Sequence, residues 1–571
     1  MANFSSSPGV KLNEIDNSFI TPTPVSAGAA IIGPTVKGPV ELPTIVTSYS
    51  DFKDKFGGSF TSGSNTFSYL TSTSAYNYFV EGGETLLVAR VTSGSHTAAT
   101  SSVIFAGTNP PTTASIVFET LSKGALMNTG DDFDSDGILT DGTTDNIKFE
   151  IAGSNTDAGT FNVLVRQGND KNSDKIILET FNKVSLDPNQ SNFISKVIGD
   201  QVVAYDSVTN QIDITSGEFT NASRYIRVKS IPNLTPDYFD NAGLAKTAFK
   251  EHIPVNGTGS FGTAVGTDIP LSAAANYNKN IDTQTQGLAG SDYDNMINLL
   301  GNANDYQFNV LSTPGLTNDN HTSQISTIIN NTIDRGDNIF VMDTVDYDGT
   351  LANALTQAAT RNTSYAATYW PWLRIQDPET GKLVFVPAST LIPGVYAHND
   401  KVANTWNAPA GISRGGLSTV HRAKLKLTEA NKASLYEGNV NPIATFPKRG
   451  VVVFGQKTLQ KGTSALDRIN VRRLLIDLKS FIGQIADNLV FEQNTATTRT
   501  GFLSIVNPYL ELIQQKGGLH AFKVIMDDTN NTDDVIDRNQ LVGQIYIQPT
   551  KTAEFISLDF ILQPTGAEFP A

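Results

Sequence analysis

The clearest hydrophobic pattern of the chain lies in its C-terminal part, residues 446–571. A short apolar run at residues 451–454 predicts a strand. Apolar residues then recur at spacings of three to five from residue 465 to about residue 491, and this period predicts a long helix with one broad apolar face. The pattern therefore predicts an α+β module at this end of the chain.

Strict alternation over residues 553–562 predicts a final strand. One face of this strand is wholly apolar, so the strand needs a sheet to join before that face can leave water. The apolar face consists of Ile556, Leu558, Phe560 and Leu562, and Phe555 lies on the opposite face.

Residues 231–445 have the pattern of an α/β core. A predicted strand at residues 308–311, a helix at 322–335 and a strand at 339–342 form one parallel βαβ unit. In open α/β sheets, ligands bind beyond the carboxyl ends of the strands. An enzyme that uses a crevice near Asp343 is therefore one alternative function, and it requires that residue and its neighbours to line a pocket in which their titration is perturbed.

The N-terminal residues 1–24 read as an extended arm. Val10, Leu12 and Ile15 are scattered among small and polar residues, and such a segment cannot bury enough apolar surface to order itself. Two interpretations stay open, a disordered tail and a strand donated to the sheet edge of a neighbour.

Residues 93–230 are rich in Ser, Thr, Asn, Asp and Gly, and alternating segments predict an inserted, acidic, β-rich surface domain. Asp132, Asp134 and Asp136 open like a calcium-binding loop, although Thr143 stands where a bidentate Glu belongs. A calcium-stabilised surface adhesin is the second alternative, and an acidic solvated turn is the simpler interpretation.

Two further features of the sequence give weaker evidence for a binding site. Residues 257–262 match the G-x-G-x-x-G dinucleotide pattern, but no helical period follows them, so a flexible loop is expected. The six histidines are scattered without ligand spacing. We expect neither a nucleotide site nor a histidine metal site.

The composition, with 39% hydrophobic residues and a mean hydropathy of −0.17, indicates a soluble protein of 571 residues. No apolar run approaches the roughly 20 residues of a membrane helix, and the N-terminus lacks the features of a signal peptide. The absence of cysteine excludes disulfides, thiolate nucleophiles and cysteine-ligated metals, and it fits folding in a reducing cytoplasm.

Charge is unevenly distributed along the chain. Residues 361–480 hold 17 Lys and Arg against 7 Asp and Glu. The rest of the chain holds 24 Lys and Arg against 49 Asp and Glu. A basic region within an acidic protein suggests an acidic partner, either nucleic acid or a protein surface, although a solvated face with internal ion pairs explains it equally well. The candidate basic side chains on the predicted helix are Arg468, Arg472, Arg473 and Lys479.

Four stretches of the chain resemble the contractile tail sheath proteins of bacteriophages and related injection machines. The most specific stretch begins with Tyr-Trp-Pro-Trp-Leu at residues 369–373 and ends with Trp-Asn-Ala-Pro-Ala-Gly at 406–411. Together the stretches cover the first 90 or so residues and most of 290–562. The other three stretches are residues 7–15, residues 47–91, and the C-terminal module from residue 470 to residue 556.

The resemblance implies a structural protein without a cofactor. Sheath subunits stack as six-membered rings around a tail tube, and their N-terminal arm and C-terminal strand join sheets in neighbouring subunits. In this chain the two exchanged segments would be those described above, and the four basic side chains would face an acidic tube. Baseplate and tail terminator proteins are further implied partners, with no nucleic acid contact or membrane insertion. The implied location is the virion tail, after assembly in the host cytoplasm.

The expected fold is a mixed α/β, multidomain chain. It has an α/β core, a C-terminal α+β assembly module, an inserted β-rich surface domain, and extended N- and C-terminal strand-exchange arms. The predicted divisions are an arm at 1–24, the first part of the core at 25–92, the insertion at 93–230, the α/β core at 231–445 and the assembly module at 446–571.

Overall fold

The computed structural model of the chain describes residues 25–62, 65–93, 96–101, 104–105, 114–124, 132–262, 284–286 and 288–555. The predicted N-terminal arm, with Val10, Leu12 and Ile15, lies outside the described residues. So do the last residues of the predicted terminal strand, among them Ile556, Leu558, Phe560 and Leu562.

The first part of the core alternates short strands with two helices. In chain order these are β1 (Val25–Ala27), β2 (Ala29–Gly33), β3 (Thr44–Val46), α1 (Tyr49–Phe56), β4 (Phe60–Ser62), β5 (Asn65–Phe67), α2 (Leu70–Val80) and β6 (Leu86–Arg90). Ser48 caps α1 by accepting a hydrogen bond from the backbone N–H of Asp51, and Gly57, at φ +73°, ends the helix.

The inserted domain is built from two larger antiparallel sheets and a two-stranded hairpin. Its elements are β7 (Ala98–Ser101), β8 (Ile104–Phe105), β9 (Ala114–Lys123), β10 (Ile147–Asn155), β11 (Thr160–Gln167), β12 (Ile177–Ser185), α3 (Ile194–Ile198), β13 (Val202–Asp206), β14 (Gln211–Ser216), β15 (Ile226–Ser230), α4 (Thr247–Lys250), β16 (Gly257–Gly259) and β17 (Phe261–Gly262). The hairpin is β13-β14. The orders of the larger sheets are β12-β11-β10-β16 and β15-β9-β7-β17, and these two sheets share one apolar core.

The glycine-rich motif at residues 257–262 therefore forms strands. β16 pairs with β10, and β17 pairs with β7, so both lie in the sheets of the inserted domain although they follow the predicted boundary at residue 230. The expected flexible loop is incorrect here, because pairing across the two sheets overrides the loop-like local composition.

The second part of the core contains the remaining strands of the main sheet. Its elements are β18 (Gln284–Thr285), β19 (Leu288–Ala289), α5 (Asp294–Leu299), β20 (Tyr306–Phe308), β21 (Val310–Thr317), α6 (Thr322–Arg335), β22 (Ile339–Asp343), α7 (Leu351–Ala359), β23 (Ala366–Trp370), β24 (Leu373–Gln376), β25 (Leu383–Val386), α8 (Ile392–Val402), β26 (Val420–Ala423), α9 (Glu429–Glu437), β27 (Asn441–Phe446) and β28 (Gly450–Val453).

An eight-stranded sheet organises the core. Its order is β28-β27-β23-β22-β21-β2-β6-β3, and the six inner strands run parallel while both outer strands are antiparallel. Apolar clusters cover both faces, as expected for a parallel sheet. The predicted βαβ unit is confirmed as β21-α6-β22. Strands β2, β6 and β3 from before the insertion join the strands from after it through the parallel pair β2-β21, so the two core segments form one sheet.

The C-terminal module packs two long helices against a hairpin. Its elements are α10 (Ile469–Asp487), α11 (Ala496–Gln515), β29 (Leu519–Ile525), α12 (Asp533–Asp537) and β30 (Gln544–Pro549). The predicted helix at 465–491 is thus shorter at both ends. The strand predicted to open the module is β28, which instead pairs with β27 at the edge of the core sheet.

Candidate assembly site at the C-terminal hairpin

The hairpin β29-β30 is a sheet of two strands. The register pairs Phe522 with Ile547 and Val524 with Ile545, and no third strand joins it within the part of the chain that the structure describes. Phe522, Val524 and Ile547 pack against the apolar cluster of α10 and α11, which anchors a hairpin that would be marginal alone. Tyr546 on β30 is exposed. The unpaired backbone groups along its edges can accept a further strand.

After β30 the chain packs against the core, and the carboxylate of Glu554 holds it there through hydrogen bonds. Arg468, at the N-terminal end of α10, donates from Nε and Nη2 to the two carboxylate oxygens of Glu554, at 2.8 and 3.0 Å. Gln456 Nε2 donates to Oε1 at 3.0 Å, and the Tyr436 hydroxyl donates to Oε2. We call these four residues the Glu554 clasp. A bidentate guanidinium pair with two further donors is a strong, directional contact.

The electrostatics of the clasp favour the charged carboxylate. Burial by itself would raise the pKa of Glu554, but hydrogen bonds from Arg468, Tyr436 and Gln456 outweigh burial and hold the pKa below its ordinary value. Phe555, the next residue, is 84% exposed, and its ring meets the ring of Tyr436 edge-on at 6.2 Å. The clasp therefore fixes the chain where the predicted terminal strand begins.

Two of the predicted basic surface residues are inside the protein, which corrects their expected role. Arg473 is 5% exposed, contacts Asp400 through Nη2 and lies over the ring of Tyr396 at 4.7 Å. Burial would lower the pKa of Arg473, but Asp400 holds it above its ordinary value. This arginine is an internal ion-pair partner and cannot present a charge to an acidic tube.

Arg472 is likewise buried, at 4% exposure. It lies over the ring of Tyr365 at 4.0 Å and donates to the Ser364 hydroxyl, and its burial lowers its pKa. With Arg468 held in the clasp, Lys479 is the exposed member of the predicted basic set. The four predicted residues therefore do not form one basic surface, because two of them are buried and Arg468 is paired with Glu554.

The predicted crevice at Asp343 is closed. Asp343 is 4% exposed, and it accepts hydrogen bonds from the backbone N–H of Ser389 at 3.2 Å and from its hydroxyl at 2.5 Å. Burial raises the pKa of Asp343 to about 7. The two described cavities are lined by other residues. Asp343 thus has the shifted pKa that the enzyme alternative requires, but its side chain is buried and neither of these two cavities includes it.

The aspartate-rich turn forms internal turn contacts. Asp134 Oδ1 accepts from the backbone N–H groups of Asp136 at 2.9 Å and Ile138 at 2.8 Å, as in an Asx turn. Asp136 also lies 3.5 Å from Lys171 Nζ. Among the described residues, no group of three or more His, Asp or Glu side chains is arranged to hold a metal ion. Within the same residues, no helix is long and apolar enough to cross a membrane.

The clasp was missed by reasoning from the sequence, apart from Arg468. Tyr436 and Gln456 lie on α9 and just after β28, far from Glu554 in the chain, so no local spacing links them. The available signal was a lone glutamate at the start of the predicted terminal strand.

Comparison with known proteins points to one class of protein. A family model described as the phage tail sheath C-terminal domain matches residues 462–563. A tail sheath protein of Vibrio phage KVP40 is 38% identical over 222 residues, covering 39% of this chain and 33% of that protein. A tail sheath protein of Enterobacteria phage T4 is 39% identical over 185 residues, covering 32% and 28%. The chain thus spans about one third of the length of these relatives.

The fold also matches a solved structure over almost its full length. The crystal structure of a sheath tail protein from Listeria innocua aligns with a TM-score of 0.52 at 11% identity, covering 92% of this chain and 95% of that one. The mixed α/β, multidomain architecture is thus shared. The resemblance to contractile tail sheath proteins predicted from the sequence is confirmed.

Proposed function

We propose that this relative of the tail sheath proteins is itself the structural subunit of a contractile sheath. It would polymerise as stacked hexameric rings around a tail tube and contract to drive that tube through the host envelope. The observation that carries the proposal is the open-edged hairpin β29-β30, because it lies within the region that the sheath family model matches.

Strand exchange supplies the bonds between subunits in this proposal. Extended segments that add to a sheet edge gain main-chain hydrogen bonds, and alternate side chains provide specificity. The N-terminal arm of one neighbour and the terminal strand of another would flank the hairpin. The side chains concerned are Val10, Leu12 and Ile15 of the arm, and Phe555, Ile556, Leu558, Phe560 and Leu562 of the strand.

The Glu554 clasp gives the exchanged strand a fixed origin. An arm that links two subunits transmits displacement only if its origin stays attached to its own subunit, and four hydrogen bonds on one carboxylate provide that attachment.

The extended sheath would be a metastable packing, and a signal from the baseplate would release the first ring. The chain stores energy in this mechanism and catalyses no reaction.

The partners follow from this role. They are further copies of the chain, the tail tube protein, and the baseplate and tail terminator proteins, with no direct nucleic acid contact, no membrane insertion and no cofactor. The protein would assemble in the host cytoplasm and reside in the virion tail. The inserted β-rich domain, which we extend from residue 93 to residue 262, has its own core between two sheets. The resemblance to sheath proteins implies that it would face outward.

Negative-stain electron microscopy of the purified full-length chain tests the proposal. We expect hollow tubes of stacked rings, and dispersed particles at high concentration and in several salts would contradict it. Deletion of residues 1–20, or the substitution Leu558→Pro, should leave a folded monomer that forms no tubes, because each removes an exchanged segment. Ordered tubes from either variant would overturn the strand-exchange mechanism.

A further inference from the structure

A groove opens beside the Glu554 clasp, where the described part of the chain ends. Its volume is about 540 Å³ and its lining is predominantly apolar. Its lining includes Ala433 and Tyr436 of α9, Ala410 in the loop before β26, and Phe454, which follows β28. The chain's own residues up to Phe555 form part of the lining.

We propose that this groove holds residues 556–559 of the same chain in the free subunit, and that these residues leave it when the terminal strand pairs with a neighbour. Docking of residues 556–559 in the groove would occur in the free subunit, whether or not the protein forms a sheath. Its consequence for assembly rests on the proposed sheath function.

The groove begins where the described chain ends, and its length matches that of residues 556–559. α9 contributes Glu429, Lys432, Ala433 and Tyr436 to the lining, a stretch of seven helical steps or about 10 Å. Phe555 lies at the Tyr436 end of that stretch, with the two rings in edge contact. Four residues of extended chain span about 13 Å. Residues 556–559 therefore have the length to follow the groove along α9.

The hydrophobic pattern of the segment fits the lining. In an extended segment, Ile556 and Leu558 fall on one face, and that face can enter the apolar groove while Asp559 stays on the solvent side. Phe454 lines the groove and is 45% exposed, so an occupant would remove apolar surface on both partners from water.

The clasp favours the chain's own segment over that of a second copy. Because Glu554 is held at the mouth of the groove, the tethered residues are present there at an effective concentration in the millimolar range. A second copy at micromolar concentration competes poorly with such a tether. Only when a neighbour offers a complete sheet edge, with main-chain hydrogen bonds along the whole strand, does exchange become favourable.

Disulfide trapping tests the location, since the chain contains no cysteine of its own. In the double variant Ala433→Cys with Leu558→Cys, mild oxidation of the dilute full-length protein should form an intrachain disulfide, measured by mass spectrometry and gel mobility. The control pair Ser504→Cys with Leu558→Cys places the first cysteine on α11, outside the groove lining. We expect at least tenfold more intrachain product from the groove pair. Equal yields, or products only between chains, would overturn the proposal.

A second test of the groove uses a variant that introduces no cysteine. Ala433→Trp fills the groove, so it should release the segment and shorten the lag before tubes form severalfold, as followed by light scattering. An unchanged or longer lag would contradict a sequestering groove. If neither wild type nor variant forms tubes, the sheath function fails, and the disulfide yields of the free subunit still decide where the segment lies.

Discussion

The core sheet and the C-terminal hairpin differ in whether the backbone groups of an outer strand are hydrogen-bonded within the subunit. Outer strand β28 of the core sheet is covered by the loop that precedes β26: Val453 accepts from the N–H of Gly411 at 2.9 Å and donates to the carbonyl of Gly415 at 2.8 Å. Leu417 donates to the carbonyl of Val451 at 3.0 Å. A sheet edge paired in this way cannot recruit another chain.

The hairpin β29-β30 has no such cover within the described residues. One side packs on α11, and strand β30 is largely exposed. The comparison separates a sheet edge that is paired within one subunit from a hairpin that has no third strand within the described residues. Substitutions in the first should change folding stability, and substitutions in the second should change assembly.

The largest expected effect on folding belongs to the core sheet. Phe340, fully buried in β22, should cost about 4 kcal/mol of unfolding free energy when changed to Ala, because the cavity it leaves cannot collapse. Urea denaturation measures the change. Phe491→Ala, at a fully exposed phenylalanine, is the matched control and should stay within about 0.5 kcal/mol. Similar losses in both variants would refute the assigned burial.

The next effect concerns the predicted basic surface. Arg473→Ala leaves Asp400 without its buried partner and should cost roughly 2 kcal/mol in urea denaturation, less than for a fully buried pair because Asp400 is partly exposed. Lys479→Ala, on the exposed side of the same helix, should have little effect on stability. A stable Arg473→Ala protein would restore the tube-facing interpretation that the structure corrects.

A smaller effect is expected at the clasp, and it depends on pH. Because the folded pKa of Glu554 lies below its ordinary value of 4.5, the charged clasp contributes stability above about pH 4.5, and that contribution is lost as the pH falls through the folded pKa. Glu554→Gln should therefore lower the melting temperature slightly at pH 7 and change nothing near pH 2. A difference between the two proteins that grows toward acid pH would contradict this sign.

The smallest effect on stability should accompany a large effect on assembly. Tyr546→Lys places a charge on the exposed strand of the hairpin, and charged edge strands resist pairing. Its melting temperature should match that of the wild type, while the yield of tubes in electron micrographs should fall at least tenfold. Val208→Lys, at an exposed position of the inserted domain, is the control and should leave tube yield unchanged.

Long periodic segments were predictable from the sequence. The pattern Ile325, Ile328 and Ile329 placed α6 within the residues where the structure has it, and the apolar run at 339–342 predicted β22. The run at 308–311 covers only the end of β20 and the first two residues of β21. The core of the C-terminal helix was also predicted, although its ends were placed too far out because helix termini are set by local capping and packing. Local pattern sufficed where one element supplied a whole apolar face.

Contacts between distant segments were not predictable in this way. A helical pattern counts Arg472 and Arg473 as polar, yet Tyr365, Tyr396 and Asp400 provide an aromatic and ionic environment that buries both. The partners of Glu554 come from three separate parts of the chain. Charge alone therefore misidentified a surface, and the clasp had no signature in sequence spacing.

The parallel βαβ unit, the long C-terminal helix and the resemblance to sheath proteins could be predicted from sequence, because each depends on residues close together in the chain. Contacts between distant segments were needed to establish which strands close the core sheet, which arginines are buried, and which side chains hold Glu554. Those outcomes depend on hydrogen bonds and burial between distant segments, some of them more than a hundred residues apart, as in the pairs Tyr436 with Glu554 and Ala30 with Leu311. The local alternation of polar and apolar residues does not specify such pairings.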